Sequence, residues 1–233
     1  VSALEHKGHA QMGTELAPKL CVVDDAKIAL TRADVYIDFS APAATVELVQ
    51  VAAQHKVAAV IGTTGLSDVD EVVLKKAAEI IPIVYGANFS IGVNVLSSLV
   101  ESAARAFGSE WDVEIVELHH KMKRDAPSGT ALALGARAAS ALGHRLSDIQ
   151  RLTRAGDLGA RAKDELGILA VRGGDVVGEH TVYLFGPGER LELTHRATDR
   201  AIFARGAVRA ALWVVGRPPG LYSVANVLGL GQD

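Results

Sequence analysis

The chain has 233 residues, of which 49% are hydrophobic and 22% charged, and its formal net charge is −3. This length suits one large domain or two smaller ones with an ample core. No basic block is present, which argues against a nucleic-acid partner, and no apolar run reaches the roughly 18 residues that span a bilayer. The single cysteine, Cys21, excludes an intrachain disulfide, fits a reducing cytoplasmic location, and is expected to be a small buried hydrophobe.

The first half of the chain has the pattern of parallel strands that alternate with helices. We predict strands at residues 1–4, 35–39, 56–61 and 81–85, and helices at residues 43–54, 67–79 and 92–107. Helix 67–79 is expected to begin with a Ser67-x-x-Asp70 capping box. Its predicted core face consists of Val69, Val72, Val73 and Ala77.

Segments that follow these strands suggest a dinucleotide site. In Rossmann units an acidic residue about 20 residues beyond a glycine-rich fingerprint binds the ribose, and Glu5 suits that place. His6 could reach a 2′-phosphate, or lie on the surface. Gly62-Thr63-Thr64 follows strand 56–61 and is either a cofactor turn or a plain tight turn. The fingerprint itself is absent from the sequence, so we expect the first strand, its glycine-rich loop and a helix to precede Val1.

The stretch 112–134 joins a β-prone segment to two histidines, a cationic loop and the start of an Ala/Leu-rich helix. His119 and His120 end the predicted strand, and Lys123 lies in the loop. Ser128 is a candidate N-cap, and the first N–H groups of the helix, around Gly129 and Thr130, form an anion site. This pattern predicts a small anionic substrate beside a proton donor. The two histidines are not expected to bind a metal, because no further ligands lie at suitable spacing. The cationic loop could instead be a solvated charge cluster, and the helix start could be a plain cap.

The rest of the chain predicts an open sheet followed by a return helix. Alternating segments at residues 167–172, 179–185 and 190–195 indicate strands, and residues 147–166 are polar and expected to be loop. One face of this sheet needs cover, for which a partner subunit's sheet is suitable. Helix 203–215 has a predicted core stripe of Val208, Ala211, Leu212 and Val215, and the apolar tail 220–230 is expected to dock.

Residues 117–131 read E-L-H-H-K-M-K-R-D-A-P-S-G-T-A, and residues 172–181 fit R-x-G-D-x-x-G-E-H-T. The first segment resembles the signature of the dihydrodipicolinate (4-hydroxy-tetrahydrodipicolinate) reductase family, and the resemblance extends along the whole chain. It implies reduction of 4-hydroxy-tetrahydrodipicolinate to tetrahydrodipicolinate, with NADPH or NADH as cofactor, in lysine and diaminopimelate biosynthesis. It also implies a cytoplasmic homotetramer that binds a small dicarboxylate.

The same resemblance implies roles for individual residues. His119 is expected to donate the proton, and Lys123 either competes for that role or binds a substrate carboxylate. The remaining substrate contacts are expected from His120, Ser128, Gly129 and Thr130. The cofactor contacts are expected from Glu5, His6, Gly62, Thr63, Thr64, Ala87, Asn88 and Phe89, although an aromatic such as Phe89 is more often core. His180 is as much a structural as a functional candidate, and no metal is expected.

Together these patterns predict an α/β fold with two domains. Residues 1–90 and 201–233 are expected to form a Rossmann-like parallel-sheet domain that binds the dinucleotide. Residues 91–200 are expected to form an α+β substrate and oligomerisation domain with an open mixed, largely antiparallel sheet. Two other functions stay open, namely a Schiff-base enzyme with Lys123 as nucleophile and a non-catalytic paralogue or fragment.

Overall fold

The computed structural model describes residues 2–230, which divide into two compact units. Unit 1 comprises Val1–Phe89 and Ala204–Asp233, and unit 2 comprises Ser90–Phe203. These limits lie close to those of the predicted domains, while the roles of the domains stay predictions. Within residues 2–230, none of the helices has the length and apolar character that crossing a bilayer requires.

Unit 1 contains two small sheets. Its first elements are β1 (Ser2–Leu4), β2 (Glu15–Ala17), β3 (Leu20–Val23), α1 (Ala26–Leu30), β4 (Val35–Asp38), α2 (Pro42–His55), β5 (Ala58–Ile61), α3 (Asp68–Ala78) and β6 (Pro82–Tyr85). One sheet has the order β1-β3-β2, with β1 and β3 parallel. The strands β4, β5 and β6 are parallel neighbours in the other. All of β5 is buried, as its uninterrupted apolar sequence predicts.

Unit 2 is a sheet covered by helices. Its elements are α4 (Ile91–Phe107), β7 (Asp112–His119), α5 (Gly129–Ala141), α6 (Leu146–Ile149), β8 (Gln150–Arg151), β9 (Leu166–Arg172), β10 (Gly178–Gly186) and β11 (Glu189–Ala197). The strand order is β11-β10-β7-β9-β8. β10 is antiparallel to β7 and β11, whereas β9 is parallel to β7 and β8, so the predicted mixed sheet is confirmed. Residues 147–166, predicted as loop, also contribute to α6 and β8.

The chain then returns to unit 1 through α7 (Ala201–Val214), β12 (Gly220–Tyr222) and α8 (Val224–Leu228). β12 pairs in parallel with β6 and completes a four-stranded sheet of order β12-β6-β5-β4. Val224 and Val227 are buried against this sheet's core, so the predicted docking of the tail is confirmed as far as residue 230.

Two predicted helix faces were only partly correct. In α3, Ala77 is buried as predicted and Val73 packs against the core, but the other buried residues are Leu74 and Ala78, and Val69 and Val72 are exposed. In α7, Ala211 is buried as predicted, together with other small residues and Val214, whereas Val208, Leu212 and, just after the helix, Val215 are exposed. A Cβ atom on Gly206 would collide with the carbonyl oxygen of Phe89, so this glycine lets α7 approach the core closely. Apolar side chains at helical spacing occur on both sides of these helices, and close packing selects the other side.

Cys21 was predicted to be buried but is exposed. Successive side chains of a strand point to opposite faces, and in β3 the neighbouring Val22 takes the core position with 3% exposure. The strand pairs at both edges, with β1 and β2, and Cys21 lies on the face opposite to the buried Val22.

Candidate active site

On the helix-covered face of the unit 2 sheet, the buried side chains are apolar at one end of the strands and titratable or charged at the other. On β7 the buried positions are Val113, Ile115, Glu117 and His119, which alternate with half-buried residues. The neighbouring strands change at the same level. His180 of β10 lies opposite Glu117, and Arg172 of β9 lies opposite His119. Strand pairing therefore gathers a cluster of charged and titratable groups at one end of an otherwise apolar core.

Glu117 is the centre of this cluster and is fully buried. Its carboxylate lies 2.6 Å from Nδ1 of His119 and accepts two hydrogen bonds from the Arg172 guanidinium, at 2.8 and 2.7 Å. It also accepts the backbone N–H of Ser128 at 2.9 Å. Burial alone would raise the pKa of Glu117, but the hydrogen bonds from Arg172, His119 and Ser128 outweigh it and lower the pKa. Glu117 is therefore ionised at neutral pH.

His119 is held by this carboxylate with its Nε2 atom directed away from it. Because an ionised carboxylate only accepts hydrogen bonds, Nδ1 carries the hydrogen and Nε2 keeps a lone pair in the neutral ring. Burial lowers the pKa of His119, Glu117 opposes this shift, and the nearby charges of Lys123 and Arg172 add to it. A Cβ atom on Gly178 would lie 2.9 Å from Nε2, so this glycine gives the ring its room.

Ser128 joins the cluster to the start of α5. It is the N-cap, as predicted, and its hydroxyl accepts the N–H of Ala131 at 3.2 Å. The same Oγ atom lies 3.1 Å from Nε2 of His180. Burial, with a contribution from His119, lowers the pKa of His180 to about 4. His180 Nδ1 has no hydrogen-bond partner among the described residues. His180 is therefore neutral at pH 7 and supports the position of the helix start.

The other predicted substrate residues lie around the same loop and helix start. Lys123 donates a hydrogen bond to Asp125 at 2.9 Å, and the Asp125 carbonyl accepts one from Arg172 at 2.7 Å. Nε2 of His120 lies 3.1 Å from the Arg200 guanidinium. A Cβ atom on Gly129 would meet no atom within 4 Å. Thr130 is half-buried in the first turn of α5. Unit 2 thus holds an imidazole, an ammonium and a helix N-terminus together.

In unit 1, the predicted cofactor segments 62–64 and 87–89 follow the neighbouring parallel strands β5 and β6, so both lie at one edge of the sheet. Gly62 is needed because a Cβ atom there would collide with the ring of Phe39. The Thr63 hydroxyl is buried, accepts the Ser40 N–H at 3.1 Å and lies 2.8 Å from the Thr45 hydroxyl. Thr63 thus connects two loops.

Thr64 and Ala87 are exposed at this edge, and Asn88 is half-buried. The Phe89 side chain is fully buried and contacts the Phe39 ring edge to face at 5.4 Å, so its core role is the one the structure shows. Glu5 and His6 are exposed just after β1, and Nδ1 of His6 lies 3.4 Å from the Glu5 carboxylate. Cofactor binding by all these residues stays a prediction.

The sequence reading missed Glu117 and Arg172 as site residues. A signal was present, because Glu117 continues the alternation of Val113 and Ile115 and a charged residue in phase with a buried face needs a partner. The described residues contain no group of three or more His, Cys, Asp or Glu side chains placed to hold a metal ion.

Known proteins resemble this chain along most of its length. The family model described as "Dihydrodipicolinate reductase, N-terminus" matches residues 1–89, and the model of the C-terminus matches residues 92–228. The 4-hydroxy-tetrahydrodipicolinate reductase of Anaeromyxobacter sp. (strain Fw109-5) is 54% identical, over 98% of this chain and 87% of its own. That of Anaeromyxobacter dehalogenans (strain 2CP-1 / ATCC BAA-258) is 54% identical, over 91% of this chain and 78% of its own.

A solved structure agrees as well. Dipicolinate-bound dihydrodipicolinate reductase from Paenisporosarcina sp. TG-14 has a TM-score of 0.80 and 26% identity, covering 97% of this chain and 88% of its own. The match spans both units, and it supports the two-part α/β fold. The resemblance inferred from residues 117–131 is thereby confirmed. The chain belongs to the dihydrodipicolinate reductase family.

Proposed function

We propose that the chain reduces 4-hydroxy-tetrahydrodipicolinate to tetrahydrodipicolinate with NADH or NADPH, and that His119 supplies the proton. The family relationship supports the reaction, which makes the chain an oxidoreductase of lysine and diaminopimelate biosynthesis. The observation that carries the proton-transfer role is the buried His119–Glu117 contact, next to Lys123 and the start of α5. A cytoplasmic location is part of the proposal, because the pathway is biosynthetic and the chain has a single cysteine.

The chemistry divides between a hydride and a proton. A reduced nicotinamide, when bound, supplies the hydride. The 4-hydroxyl group of the substrate leaves as water, and the dehydrated form receives the hydride. Hydride transfer leaves negative charge on the substrate ring, and Nε2 of protonated His119 gives a proton to it. The imidazole of His119 then returns to its neutral form, in which Nδ1–H donates a hydrogen bond to Glu117. The ammonium of Lys123 lies close enough to affect the pKa of His119 and favours negative charge on the substrate.

The substrate carboxylates have two kinds of donor in unit 2. Lys123 exchanges its contact with the exposed Asp125 for one substrate carboxylate. The backbone N–H groups of Gly129 and Thr130, with the Thr130 hydroxyl, receive the other, because a helix N-terminus favours anions. The dipicolinate bound in the Paenisporosarcina structure is likewise a small dicarboxylate. His120 and Ser128 complete the predicted contacts, His120 from beside Arg200.

The residues at the strand ends of unit 1 fit a dinucleotide. Gly62 presents its backbone and Thr64 its exposed side chain at the edge shared by β5 and β6, and Ala87 is exposed at the same edge. The Glu5 carboxylate is exposed just after the parallel strand β1, where it can accept hydrogen bonds from the ribose hydroxyls. Thr63 and Phe89 contribute through their backbone, because their side chains are buried. Titration with NADH and NADPH separately would establish which nucleotide is preferred.

The uncovered face of the unit 2 sheet supports a homotetramer. It carries Val171 and Phe185, which are 48% and 38% exposed, and Tyr183 stacks on Phe185. Exposed apolar side chains such as these, on a sheet face that also carries the Glu114–Arg154 ion pair, are suited to burial by another subunit. Light scattering after size exclusion should give a tetramer, and Phe185→Lys should dissociate it. A wild-type monomer at micromolar concentration would contradict the assembly.

A steady-state assay tests the reaction itself. The protein is mixed with enzymatically generated substrate, and oxidation of NADH and NADPH is followed. Turnover is expected, and zero turnover with both nucleotides would overturn the proposal in favour of a non-catalytic relative. The Schiff-base alternative predicts that borohydride traps substrate on Lys123. Nζ of Lys123 is engaged by the Asp125 carboxylate rather than free to attack a carbonyl group, so we expect no trapping.

A further inference from the structure

We propose that Glu117 is the positioning residue that makes Nε2 of His119 the proton-transferring atom. The inference rests on the proposed role of His119. Glu117 itself is fully buried and therefore acts through the imidazole rather than by touching substrate. Its contact with Nδ1 is the only hydrogen bond that the His119 side chain makes with described residues.

The carboxylate is itself fixed from three sides. Arg172 binds both oxygens from β9, and the N–H of Ser128 binds one of them from the start of α5. A bidentate guanidinium sets the plane of a carboxylate, and a backbone donor adds a third fixed point. The position of the His119 ring is thereby tied to the helix N-terminus proposed for the substrate carboxylate. Correct placement of a proton donor depends on such fixed contacts.

Electrostatics gives Glu117 a second effect on His119. The charged and titratable groups that face the ring are Glu117 on its own strand, Arg172 on β9, His180 on β10 and Lys123 in the following loop. Arg172 and Lys123 are cations, and burial also disfavours a charged ring. Glu117 is the group that favours the imidazolium. Without it, His119 would hold its proton only at lower pH.

The same strand offers a matched control. Glu114 also lies on β7 and is bound bidentately by an arginine, since Arg154 donates to both of its oxygens at 2.7 Å. It occupies a half-buried position out of phase with Glu117, on the other face of the sheet. Glu114→Gln removes a carboxylate–arginine pair from the strand without touching His119, and thus measures the purely structural effect.

The first experiment reads the tautomer directly and needs no turnover. The protein is labelled with ¹⁵N-histidine, and the ring nitrogens are followed by NMR against pH. In the wild type and in Glu114→Gln, neutral His119 should show the hydrogen on Nδ1. In Glu117→Gln this preference should be lost and the pKa of His119 should fall. A His119 ring with its hydrogen on Nε2 in the wild type, or an unchanged pKa in Glu117→Gln, would overturn the proposal.

The second experiment is kinetic. Glu117→Gln should lower kcat by on the order of 10²- to 10⁴-fold, with little change in KM, and should move the alkaline fall of kcat to lower pH. If this variant does not fold, the double variant E117Q/R172Q replaces the buried ion pair by two neutral amides and should show the same kinetics. A folded variant with the kcat and pH profile of Glu114→Gln would contradict the inference. A fully active His119→Gln would instead refute the proposed donor itself.

Discussion

Nε2 of His180 lies 3.1 Å from Oγ of Ser128, and both side chains are almost fully buried. Burial lowers the pKa of His180 from 6.5 to about 4. Between these values the unfolded chain binds a proton that the folded chain does not. The stabilising contribution is therefore complete above pH 6.5 and is lost as the pH falls towards 4. The free energy of unfolding should fall by on the order of 3 kcal/mol across this window because of His180.

His180→Gln tests this relationship, because a glutamine amide can still donate to Ser128 but does not titrate. Its stability should depend less on pH between 6.5 and 4 than that of the wild type. Urea denaturation at several pH values measures the difference. His119 and His195 also have pKa values lowered by burial, so a residual slope is expected. Equal slopes in wild type and His180→Gln would contradict the prediction.

A second prediction concerns Lys123. If its ammonium binds a substrate carboxylate, Lys123→Met should raise KM by about 10- to 100-fold, because a hydrogen bond to a charged group contributes roughly 1.5–3 kcal/mol. kcat at saturating substrate should change little. Asp125→Asn is the control, since it removes an ion pair that is exposed on the Asp125 side. Such pairs contribute about 0–1 kcal/mol, so this variant should alter KM by less than about fivefold.

The outcome separates the two roles open to Lys123. A fall in kcat far larger than the change in KM would show that the ammonium takes part in proton transfer. In that case Lys123→Arg, which keeps the charge but not an easily transferred proton, should fail to restore turnover. For a carboxylate contact, Lys123→Arg should restore much of the lost affinity.

A third prediction separates the neighbouring threonines of segment 62–64. Thr63→Val removes a buried hydroxyl and leaves the Ser40 N–H and the Thr45 hydroxyl without this partner. The free energy of unfolding should fall by about 1–3 kcal/mol. Thr64→Val, at an exposed position, should leave stability unchanged and weaken binding of NADH and NADPH. Urea denaturation and fluorescence titration measure the two effects, and equal stability of both variants would contradict the assigned roles.

The sequence predicted local features of the fold well. The capping box of Ser67 and Asp70 and the N-cap at Ser128 are present, because such caps depend on residues only a few positions apart. The buried faces of α3 and α7 were predicted only in part, through Ala77 and Ala211. A helix face is selected by its partner, and the partner of α7 includes the Phe89 carbonyl, which only a glycine at position 206 admits.

The site was predicted only in part for a similar reason. His119, Lys123 and Ser128 are close in the sequence and in the structure. Arg172, in contrast, reaches Glu117 only because β9 pairs in parallel with β7, in the register that sets Arg172 opposite His119. Alternation of apolar residues indicates a strand but not its neighbour or its register. The contact between Arg172 and Glu117 could therefore be found only from the structure.

The last prediction uses two glycines near the proposed reaction. A Cβ atom on Gly178 would lie 2.9 Å from Nε2 of His119, so Gly178→Ala should displace the ring and lower kcat. A Cβ atom on Gly129 would meet no protein atom within 4 Å. Alanine also suits a helix start better than glycine on entropic grounds. Gly129→Ala should therefore fold with wild-type stability, and its KM should rise if substrate occupies the space.

Steady-state kinetics and thermal denaturation of both variants separate the two effects. Gly178→Ala should change kcat more than KM, with the His119 resonance shifted in the free protein. Gly129→Ala should change KM more than kcat, with that resonance unmoved. An unchanged KM in Gly129→Ala would remove the start of α5 from the substrate site. An unchanged kcat in Gly178→Ala would mean that proton transfer does not depend on the position of Nε2 of His119. That result would contradict a proton donor held in place by Glu117.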